Sequence, residues 1–319
     1  MHTSTDKLLR SLFACLALML AAASASGQEK YPQRPIEFIV PWGPGGGADQ
    51  LARKLGKLLE ADLKTSFPVI NVPGATGNTG MTKLMSGPAD GYSMAILIGD
   101  TAATLVSGGA RWKLADVVPL GIAIRQPSGL FVKQDSRFKT WNDVVAEAKT
   151  KPGTLKVAIL GFGSADDMTM NFLAAKGIKT IAVPYASPGE RYTSILGGHA
   201  DLLFEQAGDI RSFLDGKQMR PLIFFGEERP EEFPDIPSSK EAGLEIYLPQ
   251  FRSLVVKAGT DPQRVKLLAE AIARAAKTPE YAAFLKDSLA RKDSFLPADE
   301  AQHFMAGEID TMHKYGGKK

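Results

Sequence analysis

The sequence predicts an α/β protein with doubly wound parallel sheets, and three observations lead to this class. Short β-branched apolar runs alternate with helical patterns along most of the chain. A glycine-rich loop, PWGPGGG at 41–47, joins the first such run to a helix. A similar loop, GFGS at 161–164, joins a buried run to a helix in the second half. Ligands of open parallel sheets bind beyond the strands' carboxyl ends, where helix N-termini present free N–H groups. The repeat therefore predicts a ligand held between the two loops.

The first half alternates strand and helix. Leu51, Leu55, Leu58 and Leu59 recur at the spacing of an amphipathic helix, and the turn at 89–91 (Ala-Asp-Gly) leads into a strand. The predicted elements here are strands at 36–40, 68–72 and 93–98, and a short helix after the loop PGATGNTG at 73–80.

A second unit is predicted to begin near residue 125. Its helix starts carry capping patterns, Thr140 with Asp143 and Ser187 with Glu190. The other predicted elements are strands at 155–160, 180–183, 200–204 and 221–225, helices at 140–150 and 166–175, and three helices starting near Pro262, Pro279 and Ala298.

Residues 1–25 have the composition of a secretory signal peptide. Lys7 and Arg10 precede an apolar run at 12–23, and Ala-Ser-Ala at 23–25 offers a cleavage site. We prefer this interpretation to a membrane anchor or to a lipoprotein modified at Cys15. Because Cys15 is the only cysteine, the mature chain has none, which excludes disulfides and thiolate chemistry. The chain is therefore expected to be exported.

The composition narrows the function classes. The 319 residues suggest two domains, and 38 Lys+Arg against 35 Asp+Glu leave the chain near neutrality. No basic block or basic-aromatic run indicates nucleic acid. No later segment reaches the ~20 apolar residues of a transmembrane helix.

Three kinds of chemistry fit the motifs poorly. Gly43, Gly45 and Ala48 match the dinucleotide pattern G-x-G-x-x-G/A, but the second strand ends at 71–73 (Asn-Val-Pro) without the acidic residue that grips a ribose. Ser164 lies in GFGSA, which is not the G-x-S-x-G of a nucleophile elbow. The histidines lack metal-ligand spacing. They are His2, His199, His303 and His313. We expect no catalytic residue, no metal and no cofactor.

A small organic anion fits the loops better. A helix N-terminus contributes about 0.3–1 kcal/mol to an anion, and charge-assisted hydrogen bonds add about 1.5–3 kcal/mol each. A micromolar ligand needs roughly 8 kcal/mol, which a few such donors supply. Because the six candidate loops contain no Lys or Arg, main-chain N–H groups and hydroxyls are expected to hold the anion. These loops are 41–50, 71–80, 99–108, 161–167, 184–190 and 205–210.

The acidic residues of these loops allow two interpretations. Most are expected to stabilise helix starts, while Glu205 or Asp209 could instead face an amino group of the ligand. The helix-start carboxylates are Asp49, Asp166, Asp167 and Glu190.

Several segments then occur in one characteristic order. They are YPQRPIEFIVPWGPGGGADQLAR (31–53), NVPGATGNTG (71–80), DGYSM (90–94), TIAVPY (180–185), GGHADL (197–202), FPDIPSSKEAG (233–243) and KAGTDP (257–262). This order resembles the Bug-type substrate-binding proteins of tripartite tricarboxylate transporters (TTT), over nearly the whole mature chain.

The resemblance implies a type II-like periplasmic binding protein, with two doubly wound α/β domains joined by crossing strands around a ligand cleft. We expect domain 1 at 26–124 plus 226–319 and domain 2 at 125–225. The implied function is the capture of a small carboxylate (a di- or tricarboxylate or related acid) for uptake by a tripartite transporter.

Site residues follow from the resemblance. Family members hold one carboxylate with main-chain groups and ordered waters at the first-domain loops, and the second domain reads the far end of the ligand. The matching positions are Trp42, Gly46, Gly47, Ala48, Thr76, Gly77, Asn78 and Thr101 in domain 1, and Gly163, Ser164, Tyr185 and Gln206 in domain 2. Trp42 and Phe162 are expected to offer apolar walls.

Three departures from the family pattern leave ligand identity open. They are Asp167-Met168, Ala186-Ser187 and Phe251-Arg252. The alternative function is a ligand-binding subunit of a periplasmic signalling receptor, and an exported enzyme lacks a general base with a partner. We expect a monomer that binds a small carboxylate, meets transporter membrane subunits transiently, and contacts no nucleic acid.

Overall fold

Two mixed β-sheets with flanking helices make up the fold. The computed structural model describes residues 31–316, and the expected signal peptide at 1–25, with Cys15, lies outside the described residues. The predicted α/β class is confirmed.

The first sheet has six strands in the order β11-β4-β10-β3-β1-β2. Parallel pairing joins β1 to β2 and to β3, whereas β10 runs antiparallel to both β3 and β4. Its strands are β1 (Glu37–Val40), β2 (Val69–Asn71), β3 (Ser93–Ile98), β4 (Val117–Gln126), β10 (Gln250–Lys257) and β11 (Leu296–Pro297).

The second sheet has five strands in the order β7-β6-β8-β5-β9. Here β6 pairs in parallel with β7 and β8, and β5 runs antiparallel to β8 and β9. Its strands are β5 (Ser128–Lys133), β6 (Lys156–Ile159), β7 (Ile181–Pro184), β8 (Leu202–Gln206) and β9 (Met219–Phe225).

Ten α-helices lie within residues 31–316. They are α1 (Gly47–Leu63), α2 (Asn78–Ser86), α3 (Gly99–Ser107), α4 (Trp141–Thr150), α5 (Ala165–Ala175), α6 (Pro188–Leu196), α7 (Arg211–Asp215), α8 (Pro262–Ala275), α9 (Pro279–Asp287) and α10 (Ala298–Tyr315). None of these is long and apolar enough to cross a membrane.

The alternation of strands and helices predicted parallel sheets, and the structure adds antiparallel strands to both. The sequence pattern identified β1, β2, β3, β6, β7 and β8, which form the parallel pairs, and the antiparallel strand β9. It did not identify β10, which returns from late in the chain and inserts antiparallel between β3 and β4. The chain passes from the first sheet to the second at Pro127, between β4 and β5, and returns through 226–249. The division into domains at these two passages remains a proposal.

One hydrophobic cluster extends beneath both sheets. It includes Ile39 and Leu97 from the first sheet and Val157 and Phe204 from the second, all at most 1% exposed. From Arg34 onward the described chain forms one compact unit. The carboxyl ends of the parallel strands are therefore carried on a close-packed base.

Candidate functional site

The two glycine loops share one hydrogen-bonding pattern. Gly45 N donates to Asp49 Oδ2 at 3.0 Å, and Gly163 N donates to Asp167 Oδ2 at 2.9 Å. Both glycines have positive φ, +84° and +75°, which favours glycine at these two positions. In each loop a carboxylate in the first helical turn accepts from the glycine N–H four residues earlier, so the repeated design seen in the sequence is a repeated structure.

The helices after these loops begin differently. The N-cap of α5 is Ser164, whose Oγ accepts from Asp167 N at 3.2 Å. The N-cap of α1 is Gly46, and no side chain caps this terminus. Because the first-turn N–H groups of a helix have no intrahelical acceptor, the start of α1 keeps the character of an anion site.

A second loop of the first sheet, 73–77, is backbone-strained. Ala75 and Thr76 have φ of +48° and +53°, and a β-branched residue such as Thr76 rarely adopts this region. A Cβ at Gly77 would lie 2.2 Å from Thr101 Oγ1, so the loop contacts the start of α3 directly. Asn78 donates to Ala75 O at 2.9 Å and accepts from Trp112 Nε1 at 2.8 Å, which fixes the loop from within.

Loops from the two sheets touch one another. Thr76 Oγ1 donates to Phe162 O at 3.1 Å, and Ser107 Oγ donates to Gly163 O at 3.1 Å. A Cβ at Gly46 would lie 2.7 Å from Pro188 Cγ at the start of α6. The strand-helix loops of both sheets thus converge on one place.

Several buried polar atoms at these loops lack a hydrogen-bond partner among residues 31–316. They include Trp42 Nε1 after β1, Thr101 Oγ1 after β3, and Nε and Nη1 of Arg191 after β7. The three residues are at most 3% exposed. Since buried polar groups are normally satisfied, these atoms indicate places where a polar ligand or water belongs.

Two buried ion pairs stand beside the loops. Arg191 pairs with Glu205, and Arg252 of β10 pairs with Asp209 of the loop after β8. Arg252 Nη1 also donates to Gln126 Oε1 at 2.9 Å. Each partner is at most 7% exposed. Sequence reasoning missed the arginines because it searched only the loops: Arg191 comes directly after the loop 184–190, and Arg252 lies in strand β10.

A pair of carboxyl side chains joins the start of α3 to the start of α5. Asp166 N donates to Asp100 Oδ1 at 3.3 Å, while Asp100 Oδ2 accepts from Gln250 Nε2. Both aspartates are at most 1% exposed. Burial, together with the neighbouring Asp100, raises the pKa of Asp166 well above its usual value, and burial also raises the pKa of Asp100.

Comparison with known proteins places this arrangement in a family. The model of the TctC family, described as tripartite tricarboxylate transporter family receptor, matches residues 51–314. The chain belongs to the tripartite tricarboxylate transporter receptor family. The resemblance to Bug-type proteins of this group, drawn from the sequence segments, is thereby confirmed.

A curated relative and two solved structures illustrate the relationship of this receptor chain to others. The "UPF0065 protein in gbd 5'region" of Cupriavidus necator is 32% identical and covers 94% of this chain and 91% of its own length. The periplasmic binding protein BugD has a TM-score of 0.81 at 20% identity, covering 89% of this chain and 97% of its own. MatC from Rhodopseudomonas palustris with bound malate also has a TM-score of 0.81 at 20% identity, covering 90% and 100%. The two structures show that the receptor has the fold of periplasmic binding proteins.

The site residues inferred for the receptor lie on the converging loops or next to them. Gly46, Gly47 and Ala48 begin α1 and are buried. Gln206, buried at the end of β8, donates to Ser128 Oγ at 3.2 Å. Tyr185, at the end of β7, is half-buried and packs against the hydrophobic cluster of the second sheet.

The two expected apolar walls, Phe162 and Trp42, differ in exposure. The Phe162 side chain is 62% exposed, and its carbonyl accepts the hydrogen bond from Thr76 Oγ1. Trp42, in contrast, is 3% exposed. The sequence did contain one signal for Arg252, which was missed as a site residue. Phe251-Arg252 departs from the usual family pattern, and Arg252 forms an ion pair with Asp209.

Proposed function

We propose that this protein is a non-catalytic periplasmic receptor that captures a small organic carboxylate and delivers it to a tripartite membrane transporter. The ligand lies where the loops of the two sheets converge. Its contacts include the main chain of Gly46, Gly47 and Ala48, and the loop 76–78.

The observation that carries the proposal is the set of unsatisfied buried donors at the carboxyl ends of parallel strands. Trp42 Nε1 and Thr101 Oγ1 follow strands of the first sheet, and two nitrogens of Arg191 follow a strand of the second. All three groups can donate hydrogen bonds, which suits the oxygens of a carboxylate. The uncapped start of α1 adds main-chain N–H groups and the positive end of a helix dipole.

Arg191 leads us to extend the expected main-chain and hydroxyl contacts of the anion with a basic side chain. Arg191 keeps one nitrogen on Glu205 and leaves Nε and Nη1 without acceptors among the described residues. A carboxylate oxygen or an ordered water can accept from either nitrogen. We therefore add Arg191 to the proposed ligand contacts, with Gly163, Ser164, Tyr185 and Gln206 around the far end of the ligand.

The family supports the rest of the proposal. Its description names a receptor of tricarboxylate transporters, and the MatC structure of the same fold holds malate. Delivery to membrane subunits after export to the periplasm is the role we infer for this chain.

A thermal-shift screen of the exported protein tests the proposal. Mono-, di-, tri- and aromatic carboxylic acids are each added at millimolar concentration, because a ligand that binds only the folded state raises the melting temperature. We expect at least one acid to raise it, and the recovered acid to be chemically unchanged by NMR. Turnover of the acid, or no shift with any acid, would overturn the proposal.

A further inference from the structure

Asp209 carries a carboxylate from the second sheet to the start of α1 in the first. A Cβ placed on Gly47 would lie 2.1 and 2.2 Å from the two carboxylate oxygens of Asp209. The side chain of Asp209 is 7% exposed and forms an ion pair with Arg252 of β10. The carboxylate is thus enclosed between a helix N-terminus and a guanidinium.

This position is the one an anionic ligand would take. The terminus of α1 has glycine as its N-cap and receives no side-chain cap, unlike that of α5, where Ser164 supplies the cap. Free first-turn N–H groups and the helix dipole attract a carboxylate. Arg252 adds a full positive charge at the same point. Its Nη1 donates to Gln126 Oε1, so Arg252 has a second hydrogen-bond partner besides Asp209.

We propose that Asp209 is a specificity-determining residue that competes with the carboxylate of the ligand for the start of α1 and for Arg252. A ligand carboxylate binds at the start of α1 either after it displaces the Asp209 side chain or when the Asp209 carboxyl group is protonated and uncharged. This inference rests on the proposed function, and it assigns to Asp209 a role opposite to that of a partner for a ligand amino group.

The competition depends on the charge of Asp209 and hence on pH. The charged and titratable groups that face it are Arg252 on β10, Glu205 on β8, and Arg191 and Tyr192 on α6. Burial raises the pKa of Asp209 to about 6, although Arg252 acts in the opposite direction. Above that pH the ligand carboxylate and the charged Asp209 would repel each other in a low-dielectric site. Below that pH Asp209 is neutral, and only the ligand is charged.

Isothermal titration of the exported full chain with malate tests the inference. The wild type is compared with Asp209→Asn at pH 5, 6, 7 and 8. We expect Asp209→Asn to bind malate about tenfold or more tightly than the wild type at pH 8, since one buried repulsion is removed. We also expect the wild-type affinity to rise as the pH falls, and that of Asp209→Asn to change much less.

The matched control is Asp215→Asn on α7, which removes an exposed carboxylate paired with Arg211. It should bind malate as the wild type does. Asp209→Ser serves as a second variant should Asp209→Asn fail to fold, which a thermal melt decides. The titrations are then repeated with the acid that gives the largest thermal shift in the screen.

The outcomes separate this inference from the proposed function. If the wild type binds an acid and Asp209→Asn binds it equally or more weakly, the competition is refuted and the function stands. Loss of binding confined to acids that carry an amino group would make Asp209 a ligand partner instead. If neither protein binds any acid, both proposals fall.

Discussion

Gly46 is the position where side-chain size sets how closely the loops of the two sheets approach. Its φ of −79° and ψ of 169° lie in the extended region, which any residue adopts. A Cβ there would nevertheless stand 2.7 Å from Pro188 Cγ. Gly46→Leu should therefore fold while keeping the loops apart. We expect its affinity for a carboxylate found in the screen to fall roughly 100-fold, or about 2.7 kcal/mol, by calorimetry.

The control for this change is Gly307→Leu on α10, where a Cβ would meet no atom within 4 Å. It should keep wild-type affinity. Unchanged affinity in Gly46→Leu would show that the loops need not approach for binding.

Glu308 is a half-buried residue whose protonation should affect stability. Its Oε2 lacks a hydrogen-bond partner among residues 31–316, and burial raises its pKa to about 7 against the opposing effect of Arg125. A folded-state pKa above the unfolded value means that stability is present at low pH and is lost as the pH rises from about 4.5 through 7. Glu308→Gln should thus stabilise the protein at pH 8 by about 1–3 kcal/mol and have little effect at pH 4.

Chemical denaturation at both pH values measures this difference. Glu300→Gln, an exposed residue of the same helix, is the control. An equal gain for Glu308→Gln at both pH values would assign the effect to packing rather than to protonation.

How well the contacts of a residue could be predicted depended on how far apart the two partners are in the sequence. The loop glycines were predictable because Gly45 bonds to Asp49 and Gly163 to Asp167, four residues on in each case. The pairs Arg191–Glu205 and Arg252–Asp209 span 14 and 43 residues and join different elements. No local pattern encodes such pairs, because the fold alone brings them together.

At the scale of elements, helix starts were predicted well and antiparallel strands poorly. The starts at Pro262, Pro279 and Ala298 match α8, α9 and α10. The strand β4 was missed because it contains Pro119 and Gly121, which normally argue against a central strand. Gly121 has φ of +150°, and the pairing of β4 with β10 shifts register twice, so the strand tolerates both residues through local irregularity.

Two helix starts that look alike in sequence differ in structure. Thr140 forms the full capping box with Asp143, whose N–H donates to Thr140 Oγ1 at 3.4 Å. Ser187 is the N-cap of α6, but its side chain makes no capping hydrogen bond. Thr140→Ala should therefore lower the free energy of unfolding by about 1 kcal/mol, and Ser187→Ala should change it little. Equilibrium denaturation of the two variants measures this, and equal losses would contradict the assignment.

For the molecule as a whole, polar contacts link the converging loops, and some of these contacts depend on charge. The bonds from Thr76 and Ser107 go to carbonyl oxygens and do not titrate. The contacts of Asp209 with Arg252 and of Asp166 with Asp100 do. The association of the two sheets should accordingly respond to pH, whereas the hydrophobic cluster beneath them should not.

The contact between Asp100 and Asp166 determines whether stability rises or falls with pH. Both side chains are buried, and the pKa of each is raised in the folded protein by burial, in the case of Asp166 also by the charge of Asp100. Their contribution to stability is therefore complete below the unfolded pKa near 3.8 and is lost as the pH rises through the folded values. The melting temperature of the wild type should fall by several degrees between pH 5 and pH 8.

Asp166→Asn removes one of the two charges without changing the size of the side chain, so its melting temperature should fall less over the same interval. Asp287→Asn, an exposed position at the end of α9, should follow the wild type. Scanning calorimetry at pH 5, 6, 7 and 8 compares the three proteins. A wild type that grows more stable towards pH 8, or an Asp166→Asn variant with undiminished pH dependence, would mean that this pair does not couple the two sheets to protons. The same scans with the acid found in the screen then show whether ligand binding holds the loops together after the carboxyl pair has lost its proton.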